Sequence, residues 1–166
     1  TQPVMTVYIS TPIRRIPKSI LGATFRFIYT KPEDLWGIEE VWVTGSQRVK
    51  ASDLERTIID CLDRPDLCGG ISEVAKGIWT KRSEIDYTKL ASYAKKHDRK
   101  SVIKRLGFIM ETYSLVNQET FSALKEEITS SYTLLDPSLP ASGRFKSSWK
   151  IRANIEPQEL IDITKT

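Results

Sequence analysis

Apolar and polar positions change rhythm twice along the chain. Residues 4–10 alternate and are rich in β-formers, which predicts a strand. Residues 13–21, interrupted after Pro12 by Pro17, read as a connection. Over residues 23–30, Phe25, Phe27 and Tyr29 alternate with Thr24, Arg26 and Ile28, a strand with one aromatic face. Residues 32–37 are too few for more than one helical turn. Residues 40–44 and 48–51 flank Gly45-Ser46-Gln47, a short glycine-containing loop that predicts a hairpin.

From residue 52 the period lengthens to that of a helix. Ser52-Asp53-Leu54-Glu55 fits a capping box, with Ser52 accepting from the amide three residues on and Glu55 reaching back. Leu54, Ile58, Cys61 and Leu62 then share a face, and Pro65 stops the helix. Gly69-Gly70 precedes a second helix with Ile71, Val74, Ala75 and Ile78 aligned. Asp86 is the candidate cap of a third, carrying Tyr87, Leu90, Ala91 and Ala94. A fourth runs from about Lys100 to Ser114 on Val102, Leu106, Ile109 and Tyr113. Asn117 is the candidate cap of a fifth, with Phe121, Leu124 and Ile128. Residues 135–146 hold Pro137, Pro140 and Gly143 and read as a long exposed loop. Residues 149–155 read as a returning strand, and Pro157 suits the first turn of a short final helix.

Strands, then helices, then a strand define an α+β class. The expected architecture is a mixed or antiparallel sheet from the N-terminal third plus a C-terminal strand, packed with about five helices. A chain of 166 residues, 40% hydrophobic and 28% charged, fits one domain over 1–166 with a core that needs neither metal nor disulfide. No apolar run approaches the ~20 residues of a membrane helix and no secretory signal opens the chain, so a cytoplasmic protein is expected. Cys61 and Cys68, with six residues between them, read as free cytosolic thiols, a disulfide remaining open.

Charge adds a feature that hydropathy does not. Residues 31–75 carry five basic and ten acidic side chains, whereas residues 76–105 carry ten basic and three acidic. Lys95, Lys96, Arg99, Lys100, Lys104 and Arg105 fall within eleven residues at a helix junction, the candidate surface for nucleic acid or another acidic partner. Residues 90–106 also faintly resemble a helix-turn-helix, with Asp98 where glycine would be expected. The competing reading is a solvated helix surface whose apolar faces serve the core.

Catalytic constellations are lacking in the sequence. His97 is the one histidine, expected as solvated surface, and no zinc, phosphate-loop or nucleophile-elbow spacing occurs. Gly45-Ser46 followed by Asp53 and Glu55 resembles the pattern of a metal-dependent nucleotidyltransferase. The spacing is short, however, and the carboxylates fall in a first helical turn, where they serve the helix dipole. Gly69-Gly70 reads as a helix-to-helix turn rather than an anion site. No catalytic residue, metal or cofactor is assigned.

Three segments together resemble the AbiEi antitoxin family. The first spans residues 49–65 and 69–74, with Glu55-Arg56-Thr57, Leu62-Asp63, Arg64-Pro65 and Gly69-Gly70-Ile71. The second is Lys104-Arg105-Leu106-Gly107-Phe108-Ile109-Met110-Glu111. The third is Leu135-Asp136-Pro137 followed by Ser148-Trp149-Lys150-Ile151-Arg152-Ala153-Asn154. The resemblance implies the C-terminal antitoxin domain of a transcriptional regulator in a phage-defence, abortive-infection system. Its implied partners are operator DNA, reached mainly through a winged helix expected upstream of this chain, and a nucleotidyltransferase-like toxin that need not be bound stably. It supplies no catalytic residues. In the residues themselves Leu54, Ile58 and Leu62 read as core, Arg56 and Asp60 as a surface pair, and Trp149 as a core anchor.

Overall fold

The short-period alternation of the first third is realised as strands. A computed structural model describes residues 5–115 and 118–165. By contacts the chain divides into two compact units, Thr1–Ala51 and Ser52–Thr166.

In the first unit β1 (Met5–Thr11) lies parallel to β3 (Ala23–Tyr29), with Met5 opposite Ala23 and Thr11 opposite Tyr29. Its other edge pairs antiparallel with β2 (Lys18–Ile20). β2 lies in the stretch read as a connection. It turns into β3 through Leu21-Gly22, both at positive φ (50° and 81°). That is the backbone a two-residue hairpin turn requires, but Leu rather than Asn or Asp occupies its first position, so the usual signal is missing. The Gly45-Ser46 turn joins β4 (Ile38–Thr44) to β5 (Gln47–Ser52) in a separate two-stranded sheet. There the Arg48 guanidinium lies 3.9 Å over the Trp42 ring and 3.2 Å from Glu40 Oε2.

Among the described residues the second unit holds six α-helices: α1 (Leu54–Asp63), α2 (Ile71–Thr80), α3 (Tyr87–His97), α4 (Lys100–Tyr113), α5 (Gln118–Lys125) and α6 (Pro157–Asp162). α1 is capped by Asp53 rather than Ser52: Asp53 Oδ1 accepts from the Arg56 amide at 2.8 Å. Glu55 does not close the expected box; its carboxylate accepts from the Asp86 amide at 2.9 Å instead. Asp86 caps α3 as expected, accepting from Lys89 N at 3.0 Å. The expected Asn117 cap lies outside the described residues. Pro157 takes the first position of α6, where its missing N–H costs nothing, and Glu159 Oε1 accepts from Glu156 N at 3.0 Å.

The α+β class holds, with one difference in detail. The C-terminal strand does not extend an N-terminal sheet. It is β8 (Ile151–Ala153), the centre of a small sheet with β6 (Thr133–Leu134) parallel on one side and β7 (Arg144–Lys146) antiparallel on the other. β7 lies at the end of the segment read as an exposed loop. Its partner strand is short, and the prolines between β6 and β7 hide the pairing from any local pattern. Gly143 permits the return: a Cβ there would fall 1.8 Å from the Ala153 carbonyl oxygen.

α4 runs through the core of this unit, with ten of its fourteen residues buried. It contacts α1, α3, α5, α6 and β8. Trp149 is fully buried against it. The indole lies over Gly107, where a Cβ would come within 2.2 Å of the ring. Among the described residues no helix is long and apolar enough to cross a membrane.

Candidate functional site

The six cations singled out in the sequence do not form one surface. α3 ends at Asp98, which takes the left-handed conformation itself (φ 56°, ψ 18°). Aspartate is among the few residues that tolerate this region, so the turn forms without the expected glycine. Arg99 follows as the N-cap position of α4. Its guanidinium stands 3.0 Å from Asp63 Oδ1. Lys100 Nζ lies 3.2 Å from Asp98 and 3.0 Å from Glu127. Lys95 and Lys96 occupy the last turn of α3, where cations complement the helix dipole. Lys96 is exposed and Lys95 half-buried.

Lys104 and Arg105 turn inwards. Lys104 is 1% exposed, and its ammonium donates to Thr129 Oγ1 (2.9 Å) and the Ser131 carbonyl (2.6 Å). Burial, with Lys150 nearby, holds its pKa below the ordinary lysine value. Arg105 donates to the carbonyls of Leu62 (2.9 Å), Leu135 (3.0 Å) and Leu134 (3.2 Å). These two cations are committed to the chain's own oxygens, not to phosphates. The helix-turn-helix reading fails for a related reason. A recognition helix presents an open face to the groove, whereas residues 102–110 of α4 are all buried. Period alone could not reveal this, because β8 and α6 pack on α4 from far along the chain.

His97 is not solvated surface. It is half-buried in the last turn of α3, with Nε2 3.5 Å from Asp63 Oδ2. Burial would raise the Asp63 carboxyl, but His97 and Arg99 together hold it below its usual value.

Asp53 and Glu55, the carboxylates of the nucleotidyltransferase-like pattern, are engaged within the protein. Lys89 Nζ bridges them, 3.1 Å from Asp53 Oδ2 and 2.8 Å from Glu55 Oε2, and the Tyr93 hydroxyl donates to Asp53 Oδ2 at 3.0 Å. Burial opposes the charge on Asp53, yet the Arg56 amide, Lys89 and Tyr93 outweigh it and its pKa falls. Among the described residues no group of three or more His, Cys, Asp or Glu is arranged to hold a metal ion. Arg56, read as half of a surface pair, has its side chain only 7% exposed; it meets Asp60 at 2.9 Å.

A polar joint that sequence reasoning missed lies where the three segments grouped together in the sequence analysis meet. Asp136 is 3% exposed. Its Oδ2 accepts from the Ile71 amide at 2.8 Å, so the first turn of α2 already holds an anion, one supplied by the chain. Its Oδ1 accepts from Ser138 N at 2.8 Å. Asn154 Oδ1 accepts from Asp136 N at 3.0 Å, and Asn154 Nδ2 donates to the Asp136 carbonyl at 2.8 Å. Gly70, at φ 90°, leaves room for this carboxylate; a Cβ would stand 2.8 Å from Oδ2. The first segment thus meets the third through Ile71 and Asp136. The second meets both through Arg105 and, by packing, through Gly107 under Trp149. The local signal for the joint is slight: a glycine pair before a helix, and an Asp-Pro far away.

Comparison with protein-family models, curated proteins and solved structures yields no match.

Proposed function

We propose that this chain is an antitoxin and transcriptional-regulator domain of an AbiE-like phage-defence system, cytoplasmic and non-catalytic, that counteracts a nucleotidyltransferase-like toxin. The observation that carries the reading is the interlock just described. The residues on which the resemblance rests hydrogen-bond to and pack against one another, as parts of one inherited structural unit would. Arg105 joins Leu62 to Leu135, Asp136 caps Ile71, and Trp149 fills the space over Gly107. The internal use of Asp53 and Glu55 further favours a binding role over nucleotide transfer.

Growth rescue tests the proposal. Co-expression with an AbiEii-type nucleotidyltransferase toxin is expected to restore growth that the toxin alone arrests. Continued arrest, with the regulator folded and present, would sink the antitoxin assignment. Within this reading, contact with operator DNA through the α3–α4 junction falls to Lys95, Lys96 and Arg99. Charge reversal at these three is expected to lower the salt dependence of DNA binding; an unchanged slope removes the junction from the interface.

A further inference from the structure

The two cysteines were separated from chemistry in the sequence, and the fold brings them together. Cys61 lies in the last turn of α1, and Cys68 ends the 3-10 turn Pro65–Leu67 that follows. Their sulfurs stand 3.1 Å apart as free thiols. Both are half-buried and line one wall of a groove of about 300 Å³ between α1 and α2, with Leu54, Ile58, Val74 and Ile78. The groove admits small molecules to the sulfurs. The turn between them is closed by the Cys68 and Gly70 amides, which donate to the Pro65 carbonyl at 2.9 and 2.8 Å.

We propose that Cys61 and Cys68 form a thiol-oxidation site, at which a hydroperoxide converts the pair into an intramolecular disulfide. Cys68 attacks first. Its thiolate displaces hydroxide from hydrogen peroxide and becomes a sulfenic acid, the S–O bond forming as the O–O bond breaks. The Cys61 sulfur then attacks the sulfenic sulfur, expelling the oxygen as water. Two thiols and one peroxide give one disulfide and two waters. A bonded pair stands at about 2.05 Å, so closure moves the sulfurs by roughly 1 Å, within the reach of side-chain rotation.

The division of roles follows the surroundings. Cys68, on the turn, is less enclosed than Cys61 on the helix, and the hydrogen bond that the two thiols share holds it below the ordinary thiol range, against burial and the carboxylates of Asp66 and Asp60. The same hydrogen bond, then burial, pushes Cys61 up. A thiolate is the nucleophile, and a neighbour poised to resolve the sulfenic acid diverts it from further oxidation. The bridge would tie the end of α1 to the turn that carries Gly69 and Gly70, and so to the backbone under Asp136.

Intact-mass measurement of the whole chain before and after brief peroxide treatment tests the site. The expected result is loss of two hydrogens in the monomer, restored by dithiothreitol, with one peptide linking Cys61 to Cys68 after digestion. In Cys61→Ser the sulfenic acid of Cys68 accumulates and is trapped by a 1,3-dione reagent, whereas Cys68→Ser is labelled at least several-fold more slowly. Cross-linked dimers, direct conversion to sulfinic acid, or unreacted thiols in the wild-type protein would each overturn the proposal. Equal trapping in the two variants would overturn the assignment of Cys68 as the attacking sulfur. The wild-type measurement stands even if a variant fails to fold.

Discussion

The two units use similar apolar residues to different ends. Among the described residues, all twenty-five apolar side chains of the buried core belong to Ser52–Thr166. Among the described residues Thr1–Ala51 contributes none, and it carries twelve of the fifteen large apolar side chains that are exposed, Trp42, Val43 and Ile16 among them. The helices enclose their apolar stripes because α4 meets neighbours on several sides. The strands of the first unit have one or two partners each, so backbone ladders and cross-strand pairs hold them. Small sheets of this kind are marginal by themselves. Alternation therefore shows that a segment is a strand, but not that its apolar face is covered.

The sharpest way to break this contrast is Trp149→Ala. The indole is wholly enclosed, and its removal leaves a cavity over Gly107; a loss of about 4 kcal/mol is expected in denaturant unfolding of the second unit. Gly107→Ala attacks the same contact by overpacking, at about 1–3 kcal/mol. A loss under about 1 kcal/mol for Trp149→Ala would mean that the core does not rest on this contact.

Next in size is the polar joint. Arg105→Met keeps the bulk of the side chain but strands the carbonyls of Leu62 and Leu135 in the interior, an expected loss of about 3 kcal/mol. Asp136→Ala leaves the Ile71 amide without its acceptor, at about 2 kcal/mol. Asp136→Asn keeps one of the two acceptor oxygens, used by the Ile71 and Ser138 amides, and loses the other with the charge at the start of α2, a smaller loss of about 1 kcal/mol. If the Ala and Asn variants are equally stable, the carboxylate does not serve the helix.

These residues also mark what a sequence can disclose. The helices were legible because Ile58, Leu62, Val74, Leu90 and Leu106 recur at local spacing, and Asp86 and Pro157 sit where local chemistry places a cap and a first turn. The expected box at α1 is lost to tertiary competition, since Glu55 is drawn to the Asp86 amide, 31 residues away. β2 was hidden by a leucine in a turn that usually signals itself with Asn or Asp. The basic run overstated the surface because Lys104 and Arg105 satisfy hydroxyl and carbonyl oxygens of residues 25 to 43 positions distant. A charge count cannot distinguish a cation offered to solvent from one consumed inside. Only the meeting of α4, β6 and α1 does so.

Acid separates the charged contacts from the apolar ones. The Asp53 and Asp63 carboxyls are held below their unfolded values, so each adds stability above about pH 4 that is lost as pH falls through the depressed folded value. Urea midpoints of the second unit are expected to stay level from neutrality to about pH 4 and to drop below it. Asp53→Asn should lower the neutral midpoint and flatten the acid slope. An acid slope unchanged by Asp53→Asn would show that this carboxylate is not held by Lys89 and Tyr93 in solution.

The smallest effect belongs to the first unit and tests the contrast from the other side. Trp42 is 56% exposed, with Arg48 lying over one face of its ring. Removing it vacates no core, and an exposed cation–π contact is worth about 0.5–1 kcal/mol. Trp42→Ala is accordingly expected to change stability by no more than about 1 kcal/mol, a fraction of the Trp149→Ala loss. Hydrogen exchange supplies the matching local readout. Amides of β4 and β5 are expected to exchange well before those of α4, since a two-stranded ladder opens without disturbing a core. Equal protection of the hairpin and α4, together with a large Trp42→Ala loss, would mean that the hairpin's apolar residues are covered in solution, and the difference between the units would collapse.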